Sequence, residues 1–195
     1  MKSLKELGFK IIGGQILTRI KDLKGISEDE IEKNRGILEP NCFSNEFLEE
    51  ENIQFIDVYS KYNKDKITRV NDIVLKMNFP HTAFLITPRT SNLLISSFCS
   101  ILRPPADINI DLNYLIAYLN SDFIYDYFSQ KLGFNKNMLR LKTIEDLPVA
   151  IIAKEKQLYI GNSYKKIMMF KKTTDCLIKL EKELFCSIIE KETSK

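Results

Sequence analysis

The sequence predicts an α/β (α+β) fold, in which a body of short strands and helices is followed by one long C-terminal helix. Three observations lead there. Short apolar runs rich in Ile, Val, Phe and Leu, each bounded by Asn, Pro, Asp or Arg, occupy the first half of the chain as strands do. Between Asp111 and Gly133, two stretches repeat their apolar residues at helical spacing. From Lys154 to Lys191 there is no proline and a single glycine, Gly161.

Taken in order, residues 1–20 read as a turn or short helix followed by an extended stretch, with Gly13-Gly14 marking a turn or a close backbone approach. Ser27 followed by Glu30 is a helix-start signal for the acidic segment 27–52, which Pro40-Asn41 interrupts. Strands are expected at Ile53–Val58, Asp72–Met77, Ala83–Thr87 and Leu93–Leu102. Arg103-Pro104-Pro105 ends the last, because proline offers no amide to a ladder. Asp111 is placed to cap a helix through about Leu119, and Ser121 restarts one that Gly133 ends. Thr143–Pro148 reads as a turn into the extended run Val149–Ala153. The last helix, about 38 residues, would be on the order of 57 Å long. Leu177, Leu180, Leu184 and Ile188 form one stripe along it and Ile178, Phe185 and Ile189 another, with Ile160, Tyr164, Ile167 and Met168 continuing the wide face upstream. A lone helix cannot bury so broad a face. The simplest division is a body, 1–150, and a helical arm, 151–195.

Composition narrows the class. A 195-residue chain with 44% hydrophobic and 28% charged residues can build a core and is not of disordered type. No apolar run approaches the roughly 18 residues of a membrane span, and Met-Lys-Ser-Leu-Lys-Glu lacks the apolar stretch of a signal peptide, so a cytoplasmic, non-membrane protein is expected. Cys42, Cys99, Cys176 and Cys186 are scattered without a C-x-x-C pair, and His81 is the only histidine. Reduced, mostly buried thiols and no metal site are expected. The net charge of +3 is mild, yet Glu28, Asp29, Glu30, Glu32, Glu39, Glu46, Glu49, Glu50 and Glu51 crowd one segment and leave the remainder basic.

Catalytic patterns are missing. There is no phosphate-binding G-x-x-x-x-G-K-[ST] loop and no G-x-G-x-x-G pattern. Asn78-Phe79-Pro80 has the wrong order for an adenine methyltransferase motif. The acids at 28–51 lack the strand context of a metal-dependent nuclease, and a serine triad could use only His81, with no nucleophile elbow beside it. A non-enzyme with no cofactor is expected.

An ordered series of segments resembles the specificity subunits of type I restriction–modification systems. Leu7-Gly8 and Ile12-Gly13-Gly14-Gln15 are similar to the family's opening. Val70–Met77 and Ser97–Pro104 resemble successive strands of a target recognition domain, and Asn109–Gly133 resembles the helical stretch that follows. Lys142–Val149 is similar to the junction into the helical spacer, and Lys154-Glu155-Lys156-Gln157 falls where that helix opens with Glu-Gln. An aromatic before Leu-Gly is lacking, the junction keeps only Pro148, and one recognition unit and one long helix stand where the family has two of each.

The resemblance implies a half-subunit. Two copies paired through their arms would place two readers on one duplex and read an inverted, two-part target. It implies double-stranded DNA, a DNA adenine methyltransferase subunit and a restriction subunit as partners. Arg19, Lys21, Arg69, Lys76, Arg89, Asn135, Lys136, Asn137 and Arg140 are the candidate DNA contacts, the asparagines because they can pair bidentately with adenine. Leu177, Ile178, Leu180, Leu184, Phe185, Ile188 and Ile189 are the candidate dimer contacts. Two other readings stay open: an accessory recognition chain for a solitary methyltransferase, and an interaction protein whose arm engages a full specificity subunit without binding DNA.

Overall fold

The structure, a computed structural model, describes residues 1–43, 48–132 and 138–193. At its centre is a four-stranded antiparallel sheet in the order β2 (Lys10–Gly13), β8 (Cys99–Arg103), β5 (Ile73–Lys76), β6 (Thr82–Leu85). The central strands explain their own sequences. Ile73 and Leu75 face one way and Val74 the other, and all three are buried because both faces of β5 are covered. Ile101 and Leu102 of β8 divide between the two faces in the same manner.

One face packs against α2 (Leu112–Leu119), α3 (Asp122–Leu132) and α4 (Leu141–Glu145), with Leu115, Leu119, Ile124, Phe128 and Ile144 meeting Ile73, Leu75 and Leu102. A two-stranded ladder of β1 (Lys2–Ser3) and β9 (Pro148–Val149) ties the N-terminus beneath it. The other face packs on Leu38, Cys42, Phe43 and Ile95. A second sheet, in the order β4 (Gln54–Tyr59), β3 (Ile31–Leu38), β7 (Leu94–Ile95), covers a smaller core with α1 (Thr18–Lys21) through Leu17, Ile20, Ile37 and Val58. α5 (Lys154–Thr193) is one uninterrupted helix of 40 residues.

Four expectations change. Ser27 opens only a single 3₁₀ turn, with no side-chain cap, and residues 31–38 continue as β3, where Ile37 and Leu38 are drawn into the cores. The run 93–102 is two strands, since Ser96-Ser97-Phe98 turns the chain from one sheet into the other. Residues 141–145 form α4 rather than a turn. Cys42 and Cys99 are buried, but Cys176 and Cys186 are exposed on α5, so half rather than most of the thiols lie inside. Asp111 does cap α2, accepting from Tyr114 N at 2.8 Å. No helix among the described residues is long and apolar enough to cross a membrane.

His81 supplies a pH test of this core. Desolvation holds its imidazole below the ordinary histidine value. The unfolded ring takes up a proton near pH 6.5 and the folded ring only at lower pH, so the unfolded chain binds more protons in that interval. Stability is therefore expected to fall as the pH drops below about 6.5 and to be insensitive to this group above it. Denaturant midpoints between pH 7 and 5 should decline more steeply for the native chain than for His81→Gln; equal slopes would refute the assignment.

Candidate nucleic-acid interface

One end of the central sheet is defined by Gly13, Ser100, Lys76 and Thr82, which are paired or adjacent in register. Four backbone segments extend the sheet past this end. Gly14 N donates to Cys99 O at 3.1 Å, and Ser97 N to Gln15 O at 2.8 Å. Met77 N donates to Phe98 O at 2.9 Å, and Leu139 N to Met77 O at 3.0 Å. Gly14 permits the crossing. A Cβ there would lie 1.9 Å from the carbonyl oxygen of Ser96, a backbone atom that cannot swing aside. Lys66 secures the same point from the sheet edge by donating to Gly14 O at 2.9 Å, and burial lowers its pKa from the usual lysine value.

The side chains left on this surface are Ile16, Phe98, Met138 and Leu141, all large, apolar and exposed. Arg19 on α1 and Arg140 at the N-cap of α4 flank them, both exposed and without an ion pair among the described residues. Lys142 is exposed too but is held by Asp146 at 2.9 Å. An apolar tip between two free guanidinium groups combines elements that meet a duplex: cations for phosphate oxygens, and apolar atoms for thymine methyls or the floor of a groove.

The sequence-predicted cations separate into two sets. Arg19, Lys21, Lys76 and Arg140 gather near this end, although Lys21 is paired with Glu39 at 3.5 Å and Lys76 is half-buried at the end of β5. Arg69 and Arg89 belong to the turns at the opposite end of the sheet, which adjoin through Thr68 and Thr90. They lie 3.4 Å from Asp65 and 3.5 Å from Glu50 respectively. Asn135, Lys136 and Asn137 lie outside the described residues; the segment that follows them, Met138-Leu139, joins this end. Ile16, Phe98 and Met138 carry no pattern in the sequence that marks them for this surface. Reading 93–102 as one strand hid Phe98, and the Ser96-Ser97 pair was the available sign of a turn.

Among the described residues, no group of three His, Cys, Asp or Glu side chains is placed to hold a metal ion.

α5 has two unlike sides. Gln157, Gly161, Tyr164 and Met168 share the side that lies on the body, beginning with Asp111 N donating to Gln157 Oε1 at 2.9 Å and ending near Asn120, which donates to Tyr164 at 3.0 Å. Beyond about residue 172 the helix projects free of the body. On the opposite side Tyr159, Phe170, Leu177, Leu184 and Ile188 form an exposed stripe, with Ile160, Ile167, Ile178, Phe185 and Ile189 beside it and Leu180 at its other margin. The upstream wide face is thus divided: Tyr164 and Met168 turn inward, whereas Ile160 and Ile167 extend the outer surface.

No family model and no curated protein matches the chain. Solved structures do. A chain from a structure of the type I R-M system, described for its complex assembly and conformational transition, superposes with a TM-score of 0.56 at 14% identity over 94% of this chain and 40% of its own. The crystal structure of the HsdS subunit from Thermoanaerobacter tengcongensis gives 0.55 at 11% identity, over 90% of this chain and 46% of that one. The fold is that of an HsdS-like chain, long helix included, and this chain spans less than half the length of either.

Proposed function

We propose that this chain is a DNA-reading specificity component of a type I restriction–modification system, with residues 1–150 reading one half-site and 151–195 serving as the pairing arm. The likeness in fold to an HsdS subunit, sustained over nine-tenths of the chain and continuing into the long helix, is the observation that supports it most. The reading surface is the sheet end carrying Ile16, Phe98, Met138 and Leu141. Arg19 and Arg140 grip phosphates, and the segment 133–137 lies next to it in sequence.

The arm pairs with a second copy of itself. Its apolar stripe runs the length of the helix on the side away from the body, so two arms can meet while both bodies remain outside the contact. Such a pair presents two identical readers and selects an inverted, two-part sequence. In the cytoplasm it directs an adenine methyltransferase subunit and a restriction subunit, and the chain itself performs no catalysis.

Selection from a random duplex pool, followed by affinity measurement over a range of salt, tests the proposal. An inverted two-part sequence should be enriched, and log K should fall linearly with log salt. Arg19→Ala and Arg140→Ala should each weaken binding to all sequences and reduce that slope by about one phosphate, whereas Phe98→Ala should change which bases are enriched. Weak binding that ignores salt, with no enriched sequence, would refute DNA reading and favour an interaction protein acting through the arm alone.

A further inference from the structure

The arm's first three turns are fastened to the body at points that share one side of the helix. Gln157 is 3% exposed within a helix whose other residues are nearly all at the surface. Its Oε1 accepts from Asp111 N at 2.9 Å and its Nε2 donates to Ile152 O at 2.8 Å, so both ends of the amide are used. One turn on, Gly161 lies against the start of α2. A Cβ built there would stand 2.6 Å from Asp111 Oδ1, 2.7 Å from Tyr114 N and 3.0 Å from the carbonyl carbon of Asn113. Asp111 Oδ1 is committed to capping α2 and the other two are backbone atoms, so none can yield cheaply. Another turn on, Asn120 donates to Tyr164 at 3.0 Å while its amide also exchanges hydrogen bonds with both backbone groups of Ala83, at 2.8 and 2.9 Å. Glycine is a poor helix former at an interior position, and here it allows the two helices to touch backbone to side-chain cap.

We infer that Gly161 and Gln157 are positioning residues that set the tilt of the arm on the reading body, and through it the spacing between the two half-sites. This rests on the two-part reading proposed above. The lever is long. Clearing the contact that a Cβ would make demands a lift of about 0.8 Å at residue 161, roughly 12 Å along the helix from its start. Carried over the full helix of about 60 Å, that tilt moves the far end by about 4 Å. One base-pair step of duplex is about 3.4 Å, so a methyl group at residue 161, carried by both arms of the pair, shifts the preferred spacing by about one base pair or more.

The test pairs a distance with a spacing. In a Cys176→Ser background, spin labels at Cys186 on the arm and at an introduced Lys24→Cys on the body, diluted with unlabelled chain, report the tilt by pulsed EPR. Duplexes carrying the half-sites selected by the native chain, with the gap varied one base pair at a time, report the spacing. Gly161→Ala should move the distance peak by a few ångströms and the preferred gap by about one base pair or more. Gln157→Ala removes the fastening without adding bulk, so it should broaden the distance distribution and flatten the preference among gaps; it carries the test should Gly161→Ala fold poorly. If both variants keep the native distance and the native gap, the inference is overturned while the two-part reading stands. If the native chain selects no two-part sequence, the proposed function falls and the inference falls with it.

Discussion

Leu177→Lys combined with Leu184→Lys is expected to convert the proposed dimer into a folded monomer that has lost at least a hundredfold in affinity for the proposed two-part target. Both leucines are more than half exposed in the single chain, at 57% and 55%, so the body does not depend on them and its unfolding transition should not move. In an arm–arm pair, two copies contribute four such side chains. Burying each contributes on the order of 1.5–3 kcal/mol before ordering and association costs are subtracted. A micromolar dimer is held by about 8 kcal/mol, so removing four apolar anchors and placing four ammonium groups in the seam exceeds what the remaining contacts can hold. Affinity falls with the dimer because each reader alone engages only one half-site. Sedimentation and DNA titration on one preparation decide it. A variant that remains dimeric, or a native chain that is monomeric at tens of micromolar, would sink the paired arm.

Much of the architecture was legible because the relevant signals are local. Asp111 before a 3.6-residue apolar period announced α2, and a long tract without proline announced α5. Ile73–Lys76 was visible as a strand because an apolar run bounded by turn residues needs no knowledge of its neighbours. What stayed hidden depends on distant partners. β3 lies in an acidic segment whose composition favours solvent, and only pairing with Gln54–Tyr59 and Leu94-Ile95 makes it a strand. The two sides of α5 could not be assigned, because the periodicity shows that a wide face exists but not which part meets Asp111 and Asn120. The sheet end proposed to read DNA was less accessible still. Ile16, Phe98 and Met138 are far apart in sequence and meet only through the hydrogen bonds of Gln15, Met77 and Leu139. Candidate cations chosen one at a time mixed the two ends of the sheet, since charge alone carries no record of register.

At the end of the central sheet away from the proposed reading surface, Asp72→Ala is expected to destabilise the body by about 3–5 kcal/mol. The Asp72 side chain is 2% exposed and takes a bidentate grip from Arg103, Nε to Oδ1 at 2.9 Å and Nη2 to Oδ2 at 2.7 Å. Arg69 N adds a third hydrogen bond to Oδ2 at 2.8 Å, and Arg103 also reaches Ile67 O at 2.9 Å. The pair therefore ties the turn before β5 to the last residue of β8. Truncating the carboxylate leaves the Arg103 guanidinium, itself only 12% exposed, without its buried counter-charge. Asp65, at 3.8 Å and partly in solvent, is a poor substitute. For a chain of this length the loss corresponds to a drop of roughly 6–20 °C in Tm. Asp72→Ala with Arg103→Met should recover part of it, because the main penalty is the orphaned charge rather than the missing attraction. Since the pair and the exposed tip at Phe98 occupy opposite ends of the sheet, the double variant should enrich the same DNA sequence as the native chain. An Asp72→Ala chain within 1 kcal/mol of native stability, measured by denaturant unfolding, would show that the guanidinium finds water or another acceptor. An altered sequence preference in the double variant would place DNA at the wrong end of the sheet.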